Sequence, residues 1–208
     1  MADSATIMAS NRRSQGLSPR KVRMARILVI LNPGAEEIET VTVGDCLVRA
    51  GQQVIVASST TAPVVTGSRG LPLAAHTLFD LVRDQDFDAV YCPGGVGSAH
   101  IHRDDPRIQD LLQRQLESGR ILAVICAAVL ALIPRRLAVG RRVTSYPGVR
   151  AEVEPHVGAW IDEPVVCDGA LITSQGPGTA LALGLHLASV FAGDAVADTV
   201  AQALLVPR

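Results

Sequence analysis

Within ILAVICAAVLAL (residues 121–132), Cys126 is the one residue with nucleophilic chemistry, set between a β-branched apolar run and a run of small, helix-prone residues. Cysteine often serves as a small buried hydrophobe, and that reading stands beside a chemical one. A thiol at a strand-to-helix junction meets unpaired backbone N–H groups, which favour the thiolate. An unperturbed thiol, with a pKa of about 8.5, is only about 3% ionised at neutral pH, and lowering it by about two units corresponds to about 2.7 kcal/mol. A helix terminus alone seldom supplies that much, so the chemical reading requires a second group.

Two other stretches offer partners. In NPGAEEIET, Glu36 and Glu37 read as first-turn acids that complement the helix dipole and stay solvated, whereas Glu39 follows Ile38 and is placed to point inward. A buried glutamic acid holds its proton and donates a hydrogen bond. In CPGGVGS, Gly94 and Gly95 form either a plain tight turn or a pair whose N–H groups face an oxyanion.

The elements that would position these groups alternate strand and helix. RILVILN (26–32) reads as a buried strand, EEIETVTVGDCLVRAG as a helix ending at Gly51, and QVIVAS (53–58) as a second strand. VVTGSRGLPL reads as a small hairpin, and FDAVYC (87–92) as a strand running into the glycine-rich turn PGGVGS. A helix follows with Asp105 at its cap, Pro106 at its first position and Gly119 after its end. ILAVI is the next strand, and AAVLAL after Cys126 opens a helix. PVVCDGALITS gives two strands about a DG turn, and TALALGLHLASVFAG and DAVADTVAQALL give closing helices. This alternation predicts an α/β sandwich with a largely parallel sheet. Ligands in such sheets bind outside the carboxyl ends of the strands, where NPGAEE, PGGVGS and Cys126 converge.

Bulk properties remove several classes. With 208 residues, 48% of them hydrophobic, the chain suits one domain with a full core. A formal charge of -1 gives no general attraction to nucleic acid or to acidic membranes, and no apolar run reaches the length of a membrane span. Cys46, Cys92, Cys126 and Cys167 show no metal-ligand spacing, so no metal is expected; Cys46, Cys92 and Cys167 read as buried packing residues. The only lysine is Lys21, which excludes Schiff-base chemistry from the folded domain. Residues 1–23, rich in Ser and Arg, read as a disordered tail before a domain at 24–208; a transit peptide or a start at Met24 are the alternatives. Without a secretory signal the thiols are expected reduced, in a cytoplasmic location unless the tail targets an organelle.

PGAEEIETV, YCPGGVGSA, AVICAAV and ITSQGPGTA, in this order, resemble the ThiJ/PfpI superfamily, and within it the branch of the parkinsonism-linked protein deglycase and the bacterial YajL-type proteins. The resemblance covers about residues 25–205. It implies a flavodoxin-like three-layer α/β sandwich and a homodimer. It makes Cys126 a nucleophile at a sharp, strained turn, Glu39 the acid hydrogen-bonded to it, and the N–H groups of Gly95 and Ala127 oxyanion donors. Gly94 and Tyr146 become pocket residues, Arg49 and Arg69 match basic positions on the dimer-side rim of that pocket, and Asp45 is structural.

Two departures matter. Peptidase members carry a histidine directly after the cysteine, where this chain has Ala127, which weakens a proteolytic reading. The deglycase has a histidine where this chain has Tyr146, in TSYPGV; YajL-type proteins also have an aromatic there. His76, His100, His102, His156 and His186 occupy none of the matching positions, and His100 and His102, beside PGGVGS, read as surface residues. A class I amidotransferase would need a downstream His and Glu pair that is missing. The implied function is a cysteine-dependent, cofactor-independent glyoxalase or deglycase acting on methylglyoxal or its early protein adducts, in defence against carbonyl and oxidative stress. The alternative is a redox-sensing, oxidation-regulated chaperone, because a low-pKa exposed thiol is also the most readily oxidised.

Overall fold

RILVIL forms β1 (Arg26–Leu31), in which Ile27 to Leu31 are wholly buried, as a strand covered on both faces requires. The computed structural model describes residues 24–206, so the readings for residues 1–23 lie outside the described residues. After β1, the carboxylate of Glu36 accepts the Glu39 N–H at 2.8 Å and so caps α1 (Glu37–Arg49). The chain then makes β2 (Gln53–Ser58), a hairpin of β3 (Val64–Thr66) and β4 (Pro72–Ala74), the short β5 (Thr77–Leu78), and β6 (Ala89–Cys92). Two consecutive helices follow, α2 (Val96–Asp104) and α3 (Pro106–Glu117). Asp105 caps α3 by accepting the Arg107 N–H at 2.9 Å, and Gly119 takes φ +71° beyond its end.

β7 (Ile121–Ile125) leads into a 3₁₀ stretch from Cys126 to Leu132. Next, β8 (Arg142–Val143), α4 (Arg150–Val153) and β9 (Ala159–Trp160) build a small lobe in which the two strands pair in parallel. β10 (Val165–Asp168) and β11 (Leu171–Ser174) form the expected hairpin, with Gly169 of the DG turn at φ +62°. α5 (Ala180–Ala192) and α6 (Asp194–Ala203) close the fold.

Seven strands form the central sheet in the order β10-β11-β7-β6-β1-β2-β5, parallel throughout except for β10. Helices flank it in two groups, α1 with α5 and α6, and α2 with α3. From β1 the chain goes to β2 on one side and later returns to β6 on the other, so β1 and β6 flank the topological switch point. Segments 32–36 and 93–95 leave the sheet at that crevice, beside the end of β7.

Two local expectations are corrected. PGGVGS is a turn only as far as Gly95; its Val96 begins α2, a helix that the glycines and polar residues of VGSAHIHRD disguise. AAVLAL is not α-helical, because Cys126 itself sits at φ +62° and the chain leaves it as a tighter 3₁₀ path.

Candidate active site

Ile125 is fully extended and Cys126 has φ +62°, a region where a side-chain-bearing residue costs on the order of 1–3 kcal/mol. That bend aims the thiol out of the sheet end, with only 8% of the residue exposed. The N–H groups of Ala127 and Gly95 hydrogen-bond to the sulfur. Gly95, at φ +84°, is the residue before α2, and a Cβ there would run into the carbonyl oxygen of Gly34.

Glu39 reaches the same point from the first turn of α1 and is wholly buried. Its Oε2 accepts the Gly94 N–H at 2.7 Å, and its Oε1 has no partner of good hydrogen-bond geometry. The Glu39 carboxyl lies beside the Cys126 thiol, and each shifts the ionisation of the other. A Cβ at Gly94 would lie 2.6 Å from both Cys126 Cβ and Glu39 Oε2, so only glycine lets thiol and carboxyl approach this closely. Burial raises the Glu39 carboxyl to about 7. Burial, followed by the negative charge of Glu39 when ionised, pushes the Cys126 thiol up to about 12, against the pull of the Ala127 and Gly95 N–H groups. The expectation of a thiol depressed by its helix end is therefore corrected: Cys126 opens a 3₁₀ turn in a dry setting, and its ionisation is tied to where the Glu39 proton sits.

The two neighbouring acids are not solvated dipole complements. Glu36 is buried as the α1 cap. Glu37 is also buried, accepting the Ser68 hydroxyl at 2.9 Å and the Arg69 N–H at 2.7 Å. Burial would raise Glu37, but these hydrogen bonds outweigh it and hold the carboxyl below its usual range. Glu37 thus pins the turn between β3 and β4 over the crevice.

That turn carries Arg69 to the wall of a cavity of about 960 Å³, shared with Cys126, Ala127, Gly95, Tyr146 and Pro177. Tyr146 gives its ring to the wall and its N–H to the Cys126 carbonyl at 3.3 Å. Arg49 is not brought there. It lies in the last turn of α1, exposed and paired with Asp45 at 2.7 Å, because helical spacing places i and i+4 side by side.

His102 is the clearest reversal. It is wholly buried in α2, with Nε2–H donating to the Pro93 carbonyl at 3.1 Å and Nδ1 accepting from the Asn32 amide at 3.1 Å. Burial lowers it to about 4, so the ring is neutral. It ties the segment leaving β1 to the one leaving β6, directly before Gly94 and Gly95. No spacing rule singles out Asn32 and His102, since their contact spans the sheet; the surface reading of His100 holds, as that side chain is exposed. Cys46 and Cys92 are buried as expected, whereas Cys167 is half-exposed and lies 3.0 Å from His186 Nε2.

Both sequence and fold match known proteins. The model of the DJ-1/PfpI family matches residues 25–189. The chain is 39% identical to Protein dj-1beta of Drosophila melanogaster over 179 residues, covering 86% of this chain and 96% of that one. It is 32% identical to the Glutathione-independent glyoxalase DJR-1.2 of Caenorhabditis elegans over 182 residues, covering 87% of this chain and 96% of that one. The crystal structure of Drosophila melanogaster DJ-1beta superposes with a TM-score of 0.86 at 38% identity, covering 89% of this chain and 100% of that one.

Proposed function

Because the chain belongs to the DJ-1/PfpI family, we propose that it is a cysteine-dependent glyoxalase or deglycase acting on methylglyoxal or on the early adducts that methylglyoxal forms with proteins. The observation that carries this reading is the wholly buried Glu39 carboxyl packed beside a strained Cys126, across the Cβ-less Gly94 and beneath two backbone N–H groups. A carboxyl raised to about 7 holds one proton that thiol and acid share near neutral pH. With that proton on Oε1 the acid is neutral, its repulsion of the sulfur is gone, and its O–H donates to the thiolate.

The thiolate attacks the aldehyde carbon, and the new oxyanion takes a proton from Glu39, giving the hemithioacetal. The Glu39 carboxylate then removes the proton on that carbon, giving an enediol, and returns it to the adjacent carbon, while the hydroxyl proton passes to the neighbouring carbonyl oxygen; the product is a thioester of lactate. Water cleaves the thioester, releasing lactate and the thiol. The N–H groups of Gly95 and Ala127 are placed to hold the oxyanion of each tetrahedral state. Arg69 on the wall suits the substrate's carbonyl oxygens, and the Tyr146 ring limits the cavity's width.

A second reading uses the same thiol. Cys126 opens on the cavity while Cys46 and Cys92 are sealed in the core, so peroxide would oxidise it in preference to those two, and the same donors would hold a sulfinate. Such a protein would be an oxidation-regulated chaperone with little turnover. Lactate formation from methylglyoxal, measured beside suppression of client aggregation before and after mild peroxide, separates the two. Turnover that Cys126→Ser abolishes supports the enzyme. Protection that appears only after oxidation, without turnover, supports the chaperone.

The working unit we infer is a homodimer. Ile38, Val41 and Val48 on α1 are 55%, 58% and 58% exposed, an apolar row that a lone chain leaves in water.

A further inference from the structure

Cys167 lies on β10, the outermost strand of the central sheet, far along the sheet order from the β1/β6 crevice. Its sulfur is 3.0 Å from Nε2 of His186 on α5, and both residues are half-buried, so the pair is neither sealed in the core nor loose in solvent. From β8, Arg142 donates its Nη2 to the Cys167 carbonyl at 3.2 Å, bringing a guanidinium to the same spot. The neighbouring acid, Asp168, accepts the Arg142 backbone N–H at 3.0 Å and lies 3.7 Å from Arg141 Nη1 and 4.0 Å from Arg142 Nε, so two guanidiniums offset its one carboxylate. Cys126 has a carboxyl for its nearest titratable neighbour, whereas Cys167 has an imidazole and a guanidinium. Basic, partly exposed surroundings of this kind distinguish reactive thiols from inert ones.

We propose that Cys167, His186 and Arg142 form a second thiol site, at which a hydroperoxide oxidises Cys167 to the sulfenic acid independently of Cys126. Burial holds the resting thiol protonated, while the Arg142 charge draws it the other way, so attack requires a base to take the S–H proton. His186 Nε2 is in place for that transfer. A sulfur electron pair then attacks one peroxide oxygen, the S–O bond forms and the O–O bond breaks. Sulfur is oxidised by two electrons and the peroxide reduced by two. The departing hydroxide or alkoxide takes the proton from the imidazolium and leaves as water or alcohol. The Arg142 guanidinium favours the anion that develops on sulfur before the S–O bond is complete.

The test uses the full chain carrying Cys126→Ser, exposed to hydrogen peroxide for graded times, with dimedone trapping the sulfenic acid. Mass spectrometry then follows the peptides containing Cys46, Cys92 and Cys167. The expected result is labelling of Cys167 at least about tenfold faster than of the two buried cysteines. Adding His186→Gln should slow Cys167 by about tenfold or more, while the same substitution in the protein with Cys126 intact leaves Cys126 labelling unchanged. Labelling of Cys167 no faster than Cys46, or an undiminished rate in His186→Gln, overturns the proposal. Should His186→Gln fail to fold, Arg142→Gln replaces it: slower Cys167 labelling supports the site, and an unchanged rate overturns it.

Discussion

Glu39 and His102 are buried titratable groups with shifts of opposite sign. Glu39 is raised from 4.5 to about 7, so its contribution to stability is complete below pH 4.5 and is lost as pH rises through 7. His102 is lowered from 6.5 to about 4, so its contribution is complete above pH 6.5 and is lost as pH falls toward 4. Each shift corresponds to roughly 3 kcal/mol at most, and between pH 4.5 and 6.5 the two slopes oppose each other. Urea unfolding should therefore show a nearly flat stability across that interval in the native chain. In Glu39→Gln it should show a steady loss as the pH is lowered. A Glu39→Gln profile as flat as the native one would mean that His102 titrates normally. At this scale the sequence was half legible. Cys126, Glu39, Gly94 and Gly95 stand in short runs whose chemistry can be read locally. The burial of Glu36, Glu37 and His102 depends on partners 30 to 70 positions away, such as Ser68 and Asn32.

At the scale of elements, the strands and long helices follow from apolar runs and caps, and β1, β2, β7 and α3 lie where those signals put them. α2 gives no such signal, since VGSAHIHRD has neither a strong cap nor a wide apolar face, and its helicity comes from docking His102 and Ser98 against the sheet. That docking holds the two crevice segments together, so His102 is a positioning residue for the Gly94 and Gly95 N–H groups. Replacing it with leucine removes two hydrogen bonds, leaves the buried Pro93 carbonyl with the Ser98 hydroxyl alone, and should cost about 2–4 kcal/mol. His102→Leu should also lower kcat for methylglyoxal more than it raises KM, because the ring touches the frame and not the cavity wall. A variant that loses stability yet keeps the native kcat would show that the crevice is held without it.

For the whole molecule, the parallel sheet and its switch point were legible because alternating strand and helix patterns admit few topologies. The lobe from β8 to β9 was not, since strands of two residues leave no periodicity to read. Among the described residues no helix is long and apolar enough to cross a membrane. The apolar row on α1 leads us to expect a dimer by light scattering at micromolar concentration, and a monomer when Val41 and Val48 are both changed to aspartate. A native monomer would mean that this face meets some other partner. In the mechanism we propose, one proton, shared by Glu39 and Cys126, both frees the thiolate and carries the reaction. Its most direct test is Glu39→Gln, with the pH dependence of Cys126 alkylation by iodoacetamide measured beside lactate formation from methylglyoxal. The amide carries no charge and moves no proton, so Cys126 should be alkylated at lower pH than in the native chain while turnover falls by about a hundredfold or more. Full turnover in Glu39→Gln would contradict the account.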